Sequence, residues 1–154
     1  MAATKLKNYL NSRGVKFVTI EHSPAYTAAE TAESAHVSGR DFAKTVIVET
    51  GGGMAMIVLP ANRKIVLSDL REMLGDPELR LASEDDFVAR FSDCELGAMP
   101  PFGNLYGLPV YVAESLAEES EIAFNAGTHR EVFKMAYEDF VDLVQPMVLD
   151  FATV

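Results

Sequence analysis

Residues Phe42 to Pro60, FAKTVIVETGGGMAMIVLP, decide how this chain folds. Two apolar runs, Thr45 to Val48 and Met54 to Leu59, are joined through Glu49-Thr50-Gly51-Gly52-Gly53. Neither run alternates cleanly with polar residues, as it would if one face lay in water, so both strands are expected to be covered on both faces. The glycines accept the positive φ angles of a tight reversal, so the connection is read as a β-hairpin. Lys44 interrupts the pattern at the mouth of the first strand. A lysine there either snorkels to water and guards an edge or turns its charge into a pocket.

Outward from the hairpin, composition sets the limits. A chain of 154 residues with 49% apolar and 23% charged residues has the make-up of a globular protein, and 1–154 is read as one domain with a real core. No apolar run approaches the roughly 20 residues of a membrane span, and MAATKLKNYLNSRG at the start has no signal-like apolar stretch, so a cytoplasmic location away from membranes is expected. The single Cys94 excludes an internal disulfide and is read as a small buried hydrophobe. Net charge is −10, but residues 1–64 carry 8 Lys/Arg against 5 Asp/Glu, and residues 65–154 carry 5 against 18. A broad nucleic-acid footprint needs many cations on phosphates, which this chain lacks; a short anionic ligand or the tip of a nucleic acid could still meet the N-terminal half.

Before the hairpin, Leu6, Tyr9 and Leu10 share a helical face in a helix over 3–13 that Gly14 stops. Phe17 to Ile20 is a short strand, and His22 to Tyr26 a loop because Pro24 disfavours helix before it. Thr27 caps a helix over 28–36, with Glu30 completing a capping box. After Pro60, Lys64 to Leu67 is read as a strand, Ser68 as the cap of a helix through Leu74, and Leu79 to Ala82 as a strand. Ser83 caps a helix over 84–91, with Asp85 and Asp86 in its first turn. Pro109 to Ala113, Ile122 to Phe124 and Val132 to Met135 are strands, and Glu138 to Val144 is the closing helix. Hairpins and helices interleave without steady βα alternation, so the class is α+β, a mixed, curved sheet surrounded by helices.

Familiar catalytic signatures are missing. His22, His36 and His129 have no metal-ligand spacing, and no nucleophile elbow, phosphate loop or dinucleotide fingerprint occurs, so neither metal nor cofactor is implied. Three features remain: Lys44, the Gly127-Thr128-His129 turn, and Gly97-Ala98-Met99-Pro100-Pro101-Phe102-Gly103. That last stretch is too rich in Pro and Gly for regular structure and too apolar for a solvated linker. It is either a plain surface connection or a stiff loop that offers main-chain N–H groups to a ligand.

In order and spacing, these residues resemble the YbaK/ProX family of aminoacyl-tRNA editing domains, which occur alone or inserted in prolyl-tRNA synthetases. The matching elements are His22, Pro24 and Thr27, then Ala43-Lys44-Thr45 opening a strand, then Gly97 and Pro101 as a Gly-x-x-x-Pro loop, then Ala126-Gly127, with Asp139-Phe140 on the last helix. They cover nearly the whole chain. The resemblance implies the family's fold, including a partly barrel-like sheet, and a free-standing deacylase that hydrolyses the ester of a wrong amino acid at the 3′ acceptor end of tRNA. It implies a catalytic set of Lys44, Gly97 and Pro101. Lys44 would bind phosphate or the ester region at the terminal adenosine, and Gly97 to Pro101 would cradle the aminoacyl ammonium and carbonyl. The tRNA's own ribose hydroxyl would help activate water.

Around that set, His22, Tyr26, Thr27, Thr45, Ala98, Met99, Pro100, Gly127, Thr128 and His129 are candidates for binding substrate. His129 either orients water as a neutral imidazole or caps neighbouring backbone. The apolar loop carries no charge to match an acidic or basic side chain, so a small or medium uncharged aminoacyl group is expected against Met99, Pro100 and Tyr26-Thr27. The partner is the aminoacyl-adenosine end of tRNA, with a synthetase adding affinity. The rival reading is a module of the same fold that binds an aminoacyl end or a synthetase without cleaving.

Overall fold

The Phe42–Pro60 stretch forms the centre of the sheet. In the computed structural model, which describes residues 2–154, β2 (Phe42–Thr50) and β3 (Gly53–Pro60) pair antiparallel from Ala43↔Pro60 to Thr50↔Gly53. Gly53 takes φ +121°, which only glycine adopts freely, and the Thr50 hydroxyl donates to its carbonyl (2.7 Å). From Ala55 onward β3 is buried on both faces, whereas the middle of β2, Lys44 to Val46, is half-exposed.

The rest of the sheet grows from this pair. With β1 (Phe17–Glu21), β6 (Val110–Ala113), β7 (Glu121–Asn125), β8 (Glu131–Ala136) and β9 (Met147–Leu149), the order is β1-β8-β7-β2-β3-β6-β9. β1, β7 and β8 pair antiparallel, while β2/β7, β3/β6 and β6/β9 are parallel. The helices are α1 (Ala2–Ser12), α2 (Ala28–Ser34), α3 (Leu67–Leu74), α4 (Glu84–Phe87), α5 (Glu114–Ala117) and α6 (Tyr137–Val144). This is the expected α+β class with a mixed sheet. The largest core cluster joins Leu6 and Leu10 of α1 to Ile47, Met56, Met99, Phe102, Phe124, Phe133 and Phe140. A second cluster, containing Val48, Ile57, Leu59, Leu70 and Phe151, packs the other face of the hairpin. Among the described residues, no helix is long and apolar enough to cross a membrane.

Several local expectations shift. Lys64 to Leu67 is not one strand: β4 holds only Lys64–Ile65, paired with β10 (Ala152–Thr153), and Leu67 already opens α3. Ser68 is not its cap; Val66 stands there without a side-chain bond. Helix α4 ends at Phe87 rather than Phe91, although Ser83 and Asp86 form a full capping box. Helix α5 and strands β9 and β10 were not anticipated, being two to four residues long and fixed by tertiary pairing rather than by local periodicity.

Candidate functional site

On its β7/β5 side, the ladder of β2 is broken. There β2 pairs with β7 only through Phe42 and Ala43, and with β5 (Arg80–Leu81) only through Val48 and Glu49. Phe42 turns its carbonyl toward the β3 side, to Ala61 N–H (2.8 Å), and Ile47 turns its carbonyl the opposite way, to Ala82 N–H (3.0 Å). By alternation, Thr45 presents its main-chain groups to the open stretch. A sheet split in this way leaves polar backbone at the floor of a cleft, where a ligand can use it.

The cleft occupies about 210 Å³ between Thr45, Ile47, Leu81, Ala82, Phe87, Leu96, Gly97 and Met99. The side-chain oxygen of Thr45 is buried with no protein hydrogen-bond partner. Lys44 lies elsewhere. Strand alternation sends it to the face of Val46 and Val48, opposite Thr45 and Ile47, where it lines a second depression of about 290 Å³ with Val46, Lys64, Ile65, Leu67 and Leu81. The two hollows share Val46 and Leu81 as walls. Of the two fates open to Lys44, its half-buried side chain thus lines a hollow. Burial, and secondly the nearby Lys64, push its pKa below the ordinary lysine value. Among the described residues, no carboxylate forms an ion pair with it.

Bonds between distant segments fix the opposite wall. Glu95 N–H donates to the Gly127 carbonyl (2.7 Å), and Gly127 N–H donates to the Ala98 carbonyl (2.9 Å). His129 N–H reaches Glu95 Oε1 (3.4 Å), and His129 Nε2 lies 2.7 Å from the Leu96 carbonyl. A carbonyl only accepts, so Nε2 carries the proton and His129 is a backbone tie to the loop. Its Nδ1 is buried without a protein partner. Gly97 sits at φ +83° and Gly127 at φ +99°, and a Cβ on Gly127 would come within 2.3 Å of Ala2 Cβ. Both positions need glycine. Ala98 through Gly103 are buried, so this stretch is a wall rather than a plain surface connection.

The remaining candidates divide. Tyr26 is 70% exposed and packs on the His129 ring at 4.9 Å between centroids, close to the loop. The Thr27 hydroxyl accepts from Glu30 N–H (3.1 Å) as the α2 cap, and the Thr128 hydroxyl accepts from Arg130 and Glu131 N–H, so both hold turns. His22 Nδ1 lies 2.6 Å from the Ser23 carbonyl, and its main-chain N–H donates to Arg130. Pro100 and Pro101 are buried and do not line the cleft, whereas Met99 does. Sequence reasoning missed Glu84, among the described residues the one ionisable group lining the cleft, because an acid in a helix's first turn already has a dipole explanation. It also missed Lys64. Cys94 is no nucleophile: burial pushes its thiol up to about 11, and it lies 3.4 Å from the Tyr106 hydroxyl. Among the described residues, no group of three His, Cys, Asp or Glu could hold a metal ion.

An apolar cleft with free backbone at its floor, a stiff loop opposite and an unpaired cation next door suits an uncharged group joined to an anionic one. The same fold occurs in solved structures. One, described as a candidate trans-editing enzyme for prolyl-tRNA synthetase, superposes with a TM-score of 0.84 at 23% identity, covering 99% of this chain and 98% of its own. Another, the hypothetical protein APE2540, gives 0.85 at 22% identity over 97% and 99%. Residues 22–143 match the aminoacyl-tRNA editing domain, and the chain belongs to that family. It is 26% identical to the prolyl-tRNA editing protein ProX of Acetoanaerobium sticklandii, over 88% of this chain and 86% of that one. It is equally 26% identical to the multifunctional Ser/Thr-tRNA deacylase ProXp-y of Escherichia coli, over 92% and 87%.

Proposed function

We propose that this protein is an aminoacyl-tRNA deacylase acting in trans, which removes a small or medium uncharged amino acid from mischarged tRNA. The observation that carries the reading is the junction of the two hollows: an apolar cleft for the side chain beside a cation for the tRNA end. The curated relatives, a prolyl-tRNA editing protein and a Ser/Thr-tRNA deacylase, are matched over 86% and 87% of their own lengths, which supports the deacylase reading.

Water adds to the ester carbonyl, the tetrahedral intermediate collapses, and the ribose oxygen leaves with a proton to give free amino acid and tRNA. An ester needs orientation and oxyanion stabilisation more than a strong nucleophile. Main-chain groups of Thr45 and of the Gly97 loop flank the cleft and suit the carbonyl. Glu84 suits the α-ammonium, and Lys44 the charge at the terminal nucleotide. The substrate's vicinal ribose hydroxyl activates the water. The site of action is the cytoplasm, and a synthetase supplements the few contacts that this acidic chain makes with tRNA.

Incubation with a panel of mischarged tRNAs, following ester loss, tests the reading. Hydrolysis of small uncharged aminoacyl esters is expected. Tight binding of those tRNAs without hydrolysis would replace the enzyme by the binding module.

A further inference from the structure

Lys44 and Lys64 share one depression, and neither forms an ion pair with a carboxylate among the described residues. The other lining residues, Val46, Ile65, Leu67 and Leu81, are apolar. In a chain of net charge −10, two cations held together without an acid are a local exception. An anion seated between them relieves their mutual repulsion and favours the charged form of both. Lys64 is fixed by β4, whose residues pair with β10 as Lys64↔Thr153 and Ile65↔Ala152. Lys44 is fixed by its place opposite Leu59 in the hairpin.

We propose that Lys64 is a second point of contact, beside Lys44, for the phosphodiester linking the terminal nucleotide of tRNA to the nucleotide before it. This rests on the deacylase reading. The scissile ester and the 5′-phosphate of that nucleotide lie on one ribose, so an aminoacyl group in the cleft brings the phosphate to the adjoining hollow. Val46 and Leu81, the walls common to both hollows, then flank the ribose. Lys64 is a positioning residue that acts on the phosphate and not on the reacting atoms. Surface elsewhere, with residues 65–154 carrying 18 acids against 5 bases, repels the rest of the tRNA and confines contact to its tip.

The test compares alanyl-adenosine and seryl-adenosine with and without a 5′-phosphate, using wild type, Lys64→Gln and Lys64→Arg. Wild type is expected to favour the phosphorylated ester by roughly 10-fold in kcat/KM, an effect of the size of one charge-assisted contact. Lys64→Gln should shrink that preference to less than about 3-fold through KM, with kcat held, and Lys64→Arg should restore most of it. A preference untouched by Lys64→Gln, or a loss confined to kcat, overturns this contact. If wild type hydrolyses neither ester, the deacylase reading fails, and titration with a cytidylyl-adenosine dinucleotide against adenosine judges the contact. Tighter dinucleotide binding that Lys64→Gln removes supports it, and equal binding refutes it.

Discussion

The two walls of the cleft are built by different means. The hairpin wall is local: β2 and β3 adjoin in sequence, and their ladder runs unbroken from Ala43 to Thr50. The loop wall has no ladder; its shape depends on bonds from Glu95, Leu96 and Ala98 to Gly127 and His129, about thirty residues away. Charge is divided in the same way, with Lys44 on the hairpin and the fixed backbone groups on the loop. In the proposed reading the hairpin side meets the nucleotide and the loop side shapes what the amino acid touches, so damage to each should read out differently.

Lys44→Ala is the sharpest test and should have the largest effect. Loss of a charge-assisted contact to the terminal nucleotide should lower kcat/KM by roughly 10–100-fold. The thermal midpoint should hold or rise, because burial and Lys64 already disfavour the charged form in the folded state. Because Lys44 loses its proton at a pH below the ordinary 10.5, wild-type kcat/KM should decline as pH rises, with onset below that value, and the variant should lack this alkaline limb. Unfolding of Lys44→Ala, with activity surviving in the folded remainder, would make the lysine structural.

Salt should act on the hairpin side alone. With two or three cations on phosphates, log K against log salt should slope at about −0.7 per contact, or roughly 10-fold weaker binding across a fourfold rise in salt. Lys64→Gln should flatten the slope by about one contact. A slope like that of a groove-binding protein would show a footprint that the acidic half of the chain was read to exclude.

His129→Ala probes the loop wall. It removes the bond to the Leu96 carbonyl and a ring against which Tyr26 packs. A lost buried hydrogen bond costs about 1–3 kcal/mol, so the melting temperature should drop, with a several-fold loss of kcat/KM and an unchanged salt slope. An intact midpoint and a lost kcat would instead make the imidazole catalytic.

The same division explains what was legible. The hairpin could be read because two apolar runs and a glycine cluster carry its whole cause. Strands β9 and β10 could not, since Met147–Leu149 and Ala152–Thr153 are shorter than any period and are set by β6 and β4. In the site, Lys44 and Thr45 stood out as neighbours, yet alternation puts adjacent strand residues on opposite faces, and their separation into two hollows follows from that rule alone. Glu84 and Lys64 gave no signal, because an exposed charge beside a helix start or strand end is ordinary until the fold shows what lies across from it.

Met99→Ala should have the smallest effect on rate and the most specific one. Met99 is 6% exposed, lines the cleft and packs in the main core, so its shortening enlarges the hollow from the loop side. An apolar wall separates aminoacyl groups by only about 1–3 kcal/mol per methylene, so wild type should already leak between neighbours in size. A flexible thioether adjusts to several ligands, and its removal should move the optimum to a larger group by a few-fold in relative rate, leaving Lys44 and the salt slope untouched. Rates on alanyl-, seryl-, threonyl- and valyl-tRNA in wild type and Met99→Ala measure this directly. An unchanged ranking would take Met99 out of the substrate's reach and leave the hairpin as the sole wall that selects. Efficient release of a lysyl group would mean that Glu84 reads a side chain rather than the α-ammonium.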